Sequence, residues 1–322
     1  MKQKVVLGID IGGTNTAFGF VDADGILLVE TSIPTHPKES AEQLFNRLHP
    51  EEKKLFSSLE KNYELAGIGI GAPNANYYKG TVELPPNLNW GTVNIVELCG
   101  RYFSVPCAIT NDANAAAIGE LKFGAGKNLK DFIVITLGTG VGSGIIVNGE
   151  LVYGHDGFAG EIGHTIYDLN GRQCGCGRRG CLETYASASG IKRTVFELLA
   201  DTNFPSTLSG IPFDELSAKL ISDAALGGDK IALMAFDKTA KILGIKLADA
   251  VAHTSPQAII LFGGLANAGG LILEPTKKYM EEYMLNIFKG KVKIIPSGLK
   301  NGNAAILGSA ALIWNELDKH KN

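Results

Sequence analysis

The sequence predicts an α/β protein of two lobes with duplicated mixed sheets, a cleft between the lobes and a zinc-binding insertion in the second lobe. Three observations predict this. Residues 4–31 and 131–153 each read as three short strands joined by tight turns, and each set opens on a turn rich in glycine and threonine. Segments of helical spacing alternate with the remaining strands. One histidine and three cysteines, His164, Cys174, Cys176 and Cys181, fall close together in a glycine-rich stretch.

Residues 4–9 are apolar and β-prone (Val5, Val6, Leu7, Ile9), a buried strand. The turn Asp10-Ile11-Gly12-Gly13-Thr14-Asn15 follows, then strands at 16–22 and 26–31 around Ala23-Asp24-Gly25, a hairpin signal. Backbone N–H groups at Gly12 and Gly13 with the Thr14 hydroxyl suit an anion, and Asp10 beside an anion makes sense with a cation such as Mg²⁺ between them. The plain alternative is a glycine turn capped by Asp10. Residues 40–49 and 51–62 have helical spacing, and 65–70 is a strand ending at Gly71-Ala72-Pro73-Asn74. Pro85-Pro86-Asn87-Leu88-Asn89-Trp90 is a rigid loop, either part of a polar-ligand pocket or ordinary surface. Thr92 is read as the cap of a helix to 102, and 106–110 as a short strand.

Asn111-Asp112 closes that strand and opens an alanine-rich helix to about Lys122. Carboxyl ends of strands are where open α/β sheets place ligand chemistry, so Asp112 reads as a general base with Asn111 beside it. A helix cap is the alternative. The second meander opens on Gly138-Thr139-Gly140 and turns again at Asn148-Gly149. No phosphate-binding Gly-Lys-Ser/Thr loop is present, because Gly126-Lys127 is followed by Asn128. A Gly-x-Gly-x-x-Gly match at 175–180 follows no strand and is interrupted by cysteines, which excludes the dinucleotide reading.

His164, Cys174, Cys176 and Cys181 offer one nitrogen and three sulfurs, a closed set for structural Zn²⁺. A disulfide with a spare thiol is the alternative, but three cysteines cannot all pair and Cys-x-Cys is tight for a bridge. With one ring nitrogen on the metal, His164 keeps the other for a ligand, and with Glu161 and Glu183 it forms a hydroxyl-binding set. Helices follow at 187–200, 213–226 and 229–254. A strand at 258–262 leads to Gly263-Gly264, where a nucleoside could lie against bare backbone. A strand at 292–296 and a helix at 303–317 close the chain.

In 322 residues, 45% are hydrophobic, enough for two cored lobes, and the net charge of −3 gives no basic face for nucleic acid or anionic lipid. No apolar run has the length of a membrane span. Cys99 and Cys107 read as packing residues, and the reduced cysteines point to the cytoplasm.

Taken together, these motifs resemble the ROK family of sugar kinases, within the actin/hexokinase/Hsp70 superfamily (an actin-like, ribonuclease H-like fold), over essentially the whole length. Residues 7–15 are similar to the family's first phosphate loop, 137–144 to its second and Phe262-Gly263-Gly264 to its adenosine segment. The stretch from Gly163-His164 to Cys181-Leu182-Glu183 is similar to its signature. The resemblance implies Asp112 as catalytic base. It implies Asn74, Asn87, Asn111, Glu161, His164 and Glu183 as sugar ligands, with Asn74 standing where glycine is usual. ATP and phosphate fall to Asp10, Gly12, Gly13, Thr14, Asn15, Gly138, Thr139, Gly140, Gly263 and Gly264. Zn²⁺ is expected on His164, Cys174, Cys176 and Cys181, and Mg²⁺ on Asp10, directly or through water. A small lobe of 1–118 plus 303–322 and a large lobe of 119–302, with the zinc motif at 164–181 and the dimer helices, are expected. So is a homodimer or homotetramer.

The leading expectation is an ATP-dependent glucokinase making glucose 6-phosphate. N-acetylmannosamine, N-acetylglucosamine or fructose kinases are the alternatives, because the sequence does not fix the pocket around C2. The family's sugar-sensing repressors carry a helix-turn-helix domain before the first phosphate loop. Here that strand starts at Lys4, so no nucleic-acid partner is expected. A sugar-binding protein without catalysis is disfavoured by intact Asp10, Thr14 and Asp112.

Overall fold

The computed structural model describes residues 2–299 and 303–319. The first meander is β1 (Gln3–Ile11), β2 (Asn15–Val21) and β3 (Leu27–Pro34), all antiparallel neighbours. Its strands carry the alternation that buries Val5, Leu7, Ile9, Phe18 and Phe20 in one core. Next comes α1 (Ala41–Phe56), capped by Ser40 in a reciprocal bond with Gln43. The sequence suggests two helices here, broken at Pro50. Instead one helix runs through Pro50, because Ala41, Leu44, Phe45 and Leu48 form a continuous buried face, and their burial outweighs the roughly 3 kcal/mol a mid-helix proline costs.

Strand β4 (Tyr63–Gly71) pairs parallel to β1, and a small antiparallel sheet follows: β5 (Ala75–Asn76), β6 (Thr81–Glu83) and β7 (Thr92–Asn94). The helix expected from Thr92 therefore starts later, as α2 (Ile95–Gly100), with Asn94 accepting the Glu97 N–H as its cap. Strand β8 (Cys107–Thr110) completes the order β3-β2-β1-β4-β8 and leads into α3 (Asp112–Phe123).

The second sheet repeats the plan. Strands β9 (Phe132–Leu137), β10 (Val141–Val147) and β11 (Glu150–Leu151) form the second meander. After a 3-10 turn at Ile162–His164 come α4 (Glu183–Ala186), α5 (Ala188–Asp201), α6 (Ala218–Leu226) and α7 (Lys230–Thr254). Helix α6 is shorter than the expected 213–226 because Ser217 caps it by accepting the Leu220 N–H. Strand β12 (Ala258–Phe262), α8 (Gly270–Tyr283) and β13 (Lys293–Pro296) complete the order β11-β10-β9-β12-β13. The last helix, α9 (Ala304–Lys319), packs on the first sheet, where a Cβ on Gly69 would collide with the Ser309 carbonyl.

Contacts divide the chain into two units: Met1–Asn128, Leu151–Ala159 and Gly298–Asn322 in one, Leu129–Glu150 and Gly160–Ser297 in the other. The first boundary lies at 128, beyond the expected 118, because α3 and the turn after it remain with the first sheet. The return falls at 298, before the expected 303. Residues 151–159 also belong to the first unit, where Tyr153 stacks on Tyr77 at 4.2 Å, a tie no local pattern announces. Among the described residues no helix is long and apolar enough to cross a membrane.

Candidate active site

In the first unit, Asp10 lies one residue before the end of β1 and the turn at 12–15 closes when the Gly12 N–H donates to the Asn15 carbonyl at 3.0 Å. Thr35, which the sequence reading missed, holds this turn from β3's end. Its hydroxyl donates to the Gly12 carbonyl at 2.8 Å and its N–H to the Thr14 carbonyl at 2.8 Å. These bonds engage carbonyls and leave the Thr14 and Asn15 side chains on the exposed surface. Nothing in the local sequence marks Thr35, which acts across the sheet.

Asn111 accepts the Ala113 N–H at 2.8 Å and is the cap of α3, so Asp112 is not the cap but the first residue of the helix. One Asp112 oxygen also accepts the Ala113 N–H, at 2.7 Å. Asp112 retains solvent-facing surface, yet enough chain surrounds its carboxyl that desolvation raises its pKa above the ordinary value. Asp10 is pushed up to about 7, first by burial and then by the negative charge of Asp112. The two carboxyls thus share one electrostatic environment at the ends of β1 and β8, where a base and a cation ligand are both useful.

Asn87 lies against the first turn: a Cβ on Gly13 would come within 2.9 Å of the Asn87 Cβ. Asn74 takes the left-handed conformation (φ 50°) that glycine and asparagine tolerate, and its Nδ2 donates to the Leu84 carbonyl at 3.1 Å. Half of that amide is therefore spent on its own loop. Trp90 is buried, with its indole N–H donating to the Glu39 carbonyl at 2.9 Å, which makes it a core residue and not a pocket wall.

In the second unit, the ligand atoms of His164, Cys174, Cys176 and Cys181 all lie within 4.8 Å of one another. Cys174 Sγ is 3.8 Å from His164 Nδ1, and the Cys176 and Cys181 sulfurs are 3.6 Å apart. A tetrahedron with Zn–S bonds of about 2.3 Å puts its sulfurs about 3.8 Å apart, so the donor set fits zinc in both type and spacing. Burial pushes the Cys174 thiol up to about 12. For Cys176 burial acts the same way, but bonds from the backbone and side chain of Arg178 and from the two neighbouring thiols bring it down to about 6. His164 turns Nδ1 to the sulfurs and Nε2 toward Glu161, at 4.0 Å from its Oε2.

Glu183 opens α4 and places Oε1 3.6 Å from Cys174 Sγ, while Oε2 accepts the Val141 N–H at 3.1 Å. A Cβ on Gly140 would fall 2.1 Å from that oxygen, so glycine there lets the carboxylate reach the second turn. The Gly138 carbonyl accepts the N–H of Ala188, so the turn at 138–140 is held at both ends by the segment after the hairpin. Thr139 is exposed, and Gly263 follows β12 with φ 102° beside the Leu137 backbone.

The model of the ROK family matches residues 6–316. A glucokinase from Thermotoga maritima is 32% identical over 97% of this chain and 98% of its own. One from Halalkalibacterium halodurans is 34% identical over 88% of each. A xylose repressor from Caldicellulosiruptor bescii is 31% identical over 97% of this chain but 78% of its own. Among solved structures, a ROK family glucokinase from Streptomyces griseus in complex with glucose and AMPPNP superposes with a TM-score of 0.81 at 33% identity, over 96% of this chain and 98% of that one.

Proposed function

The chain belongs to the ROK family, and from that membership we propose that it is an ATP-dependent sugar kinase whose preferred acceptor is the 6-hydroxyl of glucose. The observation that carries this reading is Asp112, released from capping α3 by Asn111 and held as a carboxyl of raised pKa beside Asp10. The relatives named glucokinases, similar along most of the chain, support glucose as the acceptor in this reading.

In the proposed reaction the ionised Asp112 takes the proton from the sugar hydroxyl as that oxygen attacks the γ-phosphorus of ATP. The bond from the γ-phosphorus to the bridging oxygen breaks, ADP leaves, and the proton stays on Asp112 until solvent removes it. A raised pKa makes Asp112 a stronger base than an exposed aspartate. The turns at 12–15 and 138–140 present glycine backbone to the phosphates, and Gly263-Gly264 to the nucleoside. Asp10 is an oxygen donor whose shared negative environment a cation would relieve; Mg²⁺, when bound, neutralises charge on the phosphates. Asn111, Glu161, His164 and Glu183 bind sugar hydroxyls, with Asn87 and the uncommitted half of the Asn74 amide at the margin. His164, Cys174, Cys176 and Cys181 would hold Zn²⁺, whose part is structural because four protein donors leave no open position. A cytoplasmic location is part of the same reading, and the unpaired cysteines support it. A homodimer or homotetramer is part of the same proposal.

The test is an ADP-release assay with glucose, mannose, fructose, N-acetylglucosamine and N-acetylmannosamine as acceptors. Glucose is expected to give the highest kcat/KM. Asp112→Asn is expected to lower kcat by about 10³-fold or more while glucose still binds by calorimetry. Release of ADP with no hexose, or wild-type turnover by Asp112→Asn, overturns the proposal.

A further inference from the structure

The second glycine turn and the sugar-binding turn both belong to the second unit, and one side chain joins them. Ser143 lies three residues after Gly140 on β10, 5% exposed. Its hydroxyl donates to the Gly160 carbonyl and accepts the Ile162 N–H at 3.2 Å. Those two groups bracket Glu161. The Ile162 N–H also donates to the Gly160 carbonyl at 2.9 Å, so hydroxyl, carbonyl and amide close a triangle around the residue that precedes the 3-10 turn.

The turn is seated on the same strand two residues earlier. A Cβ on Gly163 would fall 1.9 Å from the Val141 carbonyl, and the Val141 N–H is the group that Glu183 binds. Two alternate residues of β10, Val141 and Ser143, therefore carry the backbone of residues 160–163 on one side and the Glu183 carboxylate on the other. Val141 makes these two contacts through its backbone N–H and carbonyl. Ser143 is the residue whose side chain matters.

We infer that Ser143 is a positioning residue for sugar binding: its hydroxyl fixes the backbone on both sides of Glu161 and thereby aims Glu161 and His164 at the sugar hydroxyls. Both hydrogen bonds of its hydroxyl go to backbone, so its role is indirect. The inference rests on the reading of Glu161 and His164 as sugar ligands. Loss of this hydroxyl removes a hydrogen bond on each side of Glu161 and displaces its carboxylate, so sugar binding should change by roughly tenfold.

The experiment compares Ser143→Ala and Ser143→Thr with the wild type for sugar KM, ATP KM, zinc content and melting temperature, with Glu161→Gln as reference. In Ser143→Ala the glucose KM is expected to rise about tenfold, with ATP KM and bound zinc unchanged. Ser143→Thr, which keeps the hydroxyl and suits a strand, should restore the wild-type value. An unchanged glucose KM in Ser143→Ala overturns the inference. So does a parallel rise in ATP KM or a loss of zinc, since either would make Ser143 a general support of the strand. If Glu161→Gln leaves glucose KM unchanged, the reading of the sugar ligands falls. If Glu161→Gln raises it and Ser143→Ala does not, only the present inference falls.

Discussion

Asp10 and Asp112 are two carboxyls that burial makes reluctant to ionise, and at Asp10 the negative charge of Asp112 adds to that reluctance. A carboxyl with a raised folded-state pKa binds its proton more tightly folded than unfolded. Its contribution to stability is complete below the unfolded value near 4 and is lost as pH rises through the folded value. For Asp10 that window runs from about 4 to about 7. The metal-free protein is therefore expected to lose stability across this interval as pH rises, and NMR titration of the Asp10 carboxyl should show a midpoint near 7. In Asp112→Asn the neighbouring charge is gone and that midpoint should fall; an Asp10 that titrates near 4 in the wild type rules the coupling out. The residue types at these positions were readable from the sequence, because an aspartate at the carboxyl end of a strand is a recognisable signal. Their coupling was not. It depends on β1 and β8 lying on either side of β4, and strand order is not written in either segment. Thr35 and Ser143 escaped for a similar reason: each acts on backbone 17 or more residues away.

At the scale of elements, the hairpin from Arg172 to Glu183 has little regular structure of its own beyond bridges such as Gln173–Arg179. It is held by polar contacts to α4 and α5: the buried Arg172 guanidinium donates to the Thr184 carbonyl of α4 and to Glu197 and the Thr194 hydroxyl of α5. Its tip carries the thiols, and their clustering is what the spacing of His164, Cys174, Cys176 and Cys181 announces. Cys176 isolates the metal's contribution, because its side chain is exposed and exchanging sulfur for oxygen opens no cavity. Cys176→Ser is expected to bind less than stoichiometric zinc and to melt roughly 5–10 °C lower. Unchanged metal content with an unchanged melting temperature would remove Cys176 from the ligand set. Elements with strong caps or strict alternation, such as α5 behind Ser187 and the β1–β3 meander, were legible. Where the reading erred, as in α1 through Pro50 and the late start of α2, burial of a shared face or a competing cap decided the boundary.

For the whole molecule, the two units have separate hydrophobic cores. Leu137, Val141, Leu182, Tyr185, Ala186 and Ile191 belong to one cluster, which gathers β9, β10 and the residues after the hairpin with α5 to α8. Val5, Leu7, Phe18, Phe45, Ile68 and Ile109 belong to another, and α9 has its own cluster on the first sheet. The duplicated turn-and-meander pattern made two lobes legible, whereas the return of residues 151–159 to the first unit depends on the stack of Tyr153 on Tyr77. Separate cores imply that damage to the hairpin should spread within one core before it reaches the other. Zinc removal with a chelator is therefore expected to raise amide hydrogen exchange in α4, α5 and the turn at 138–140, whose anchors are Glu183 and Ala188. Exchange in β1, β4 and α9 should stay at its metal-loaded rate. Equal deprotection of both sets would show that the chain loses its structure as one cooperative unit, and the separation of cores would then have no energetic consequence.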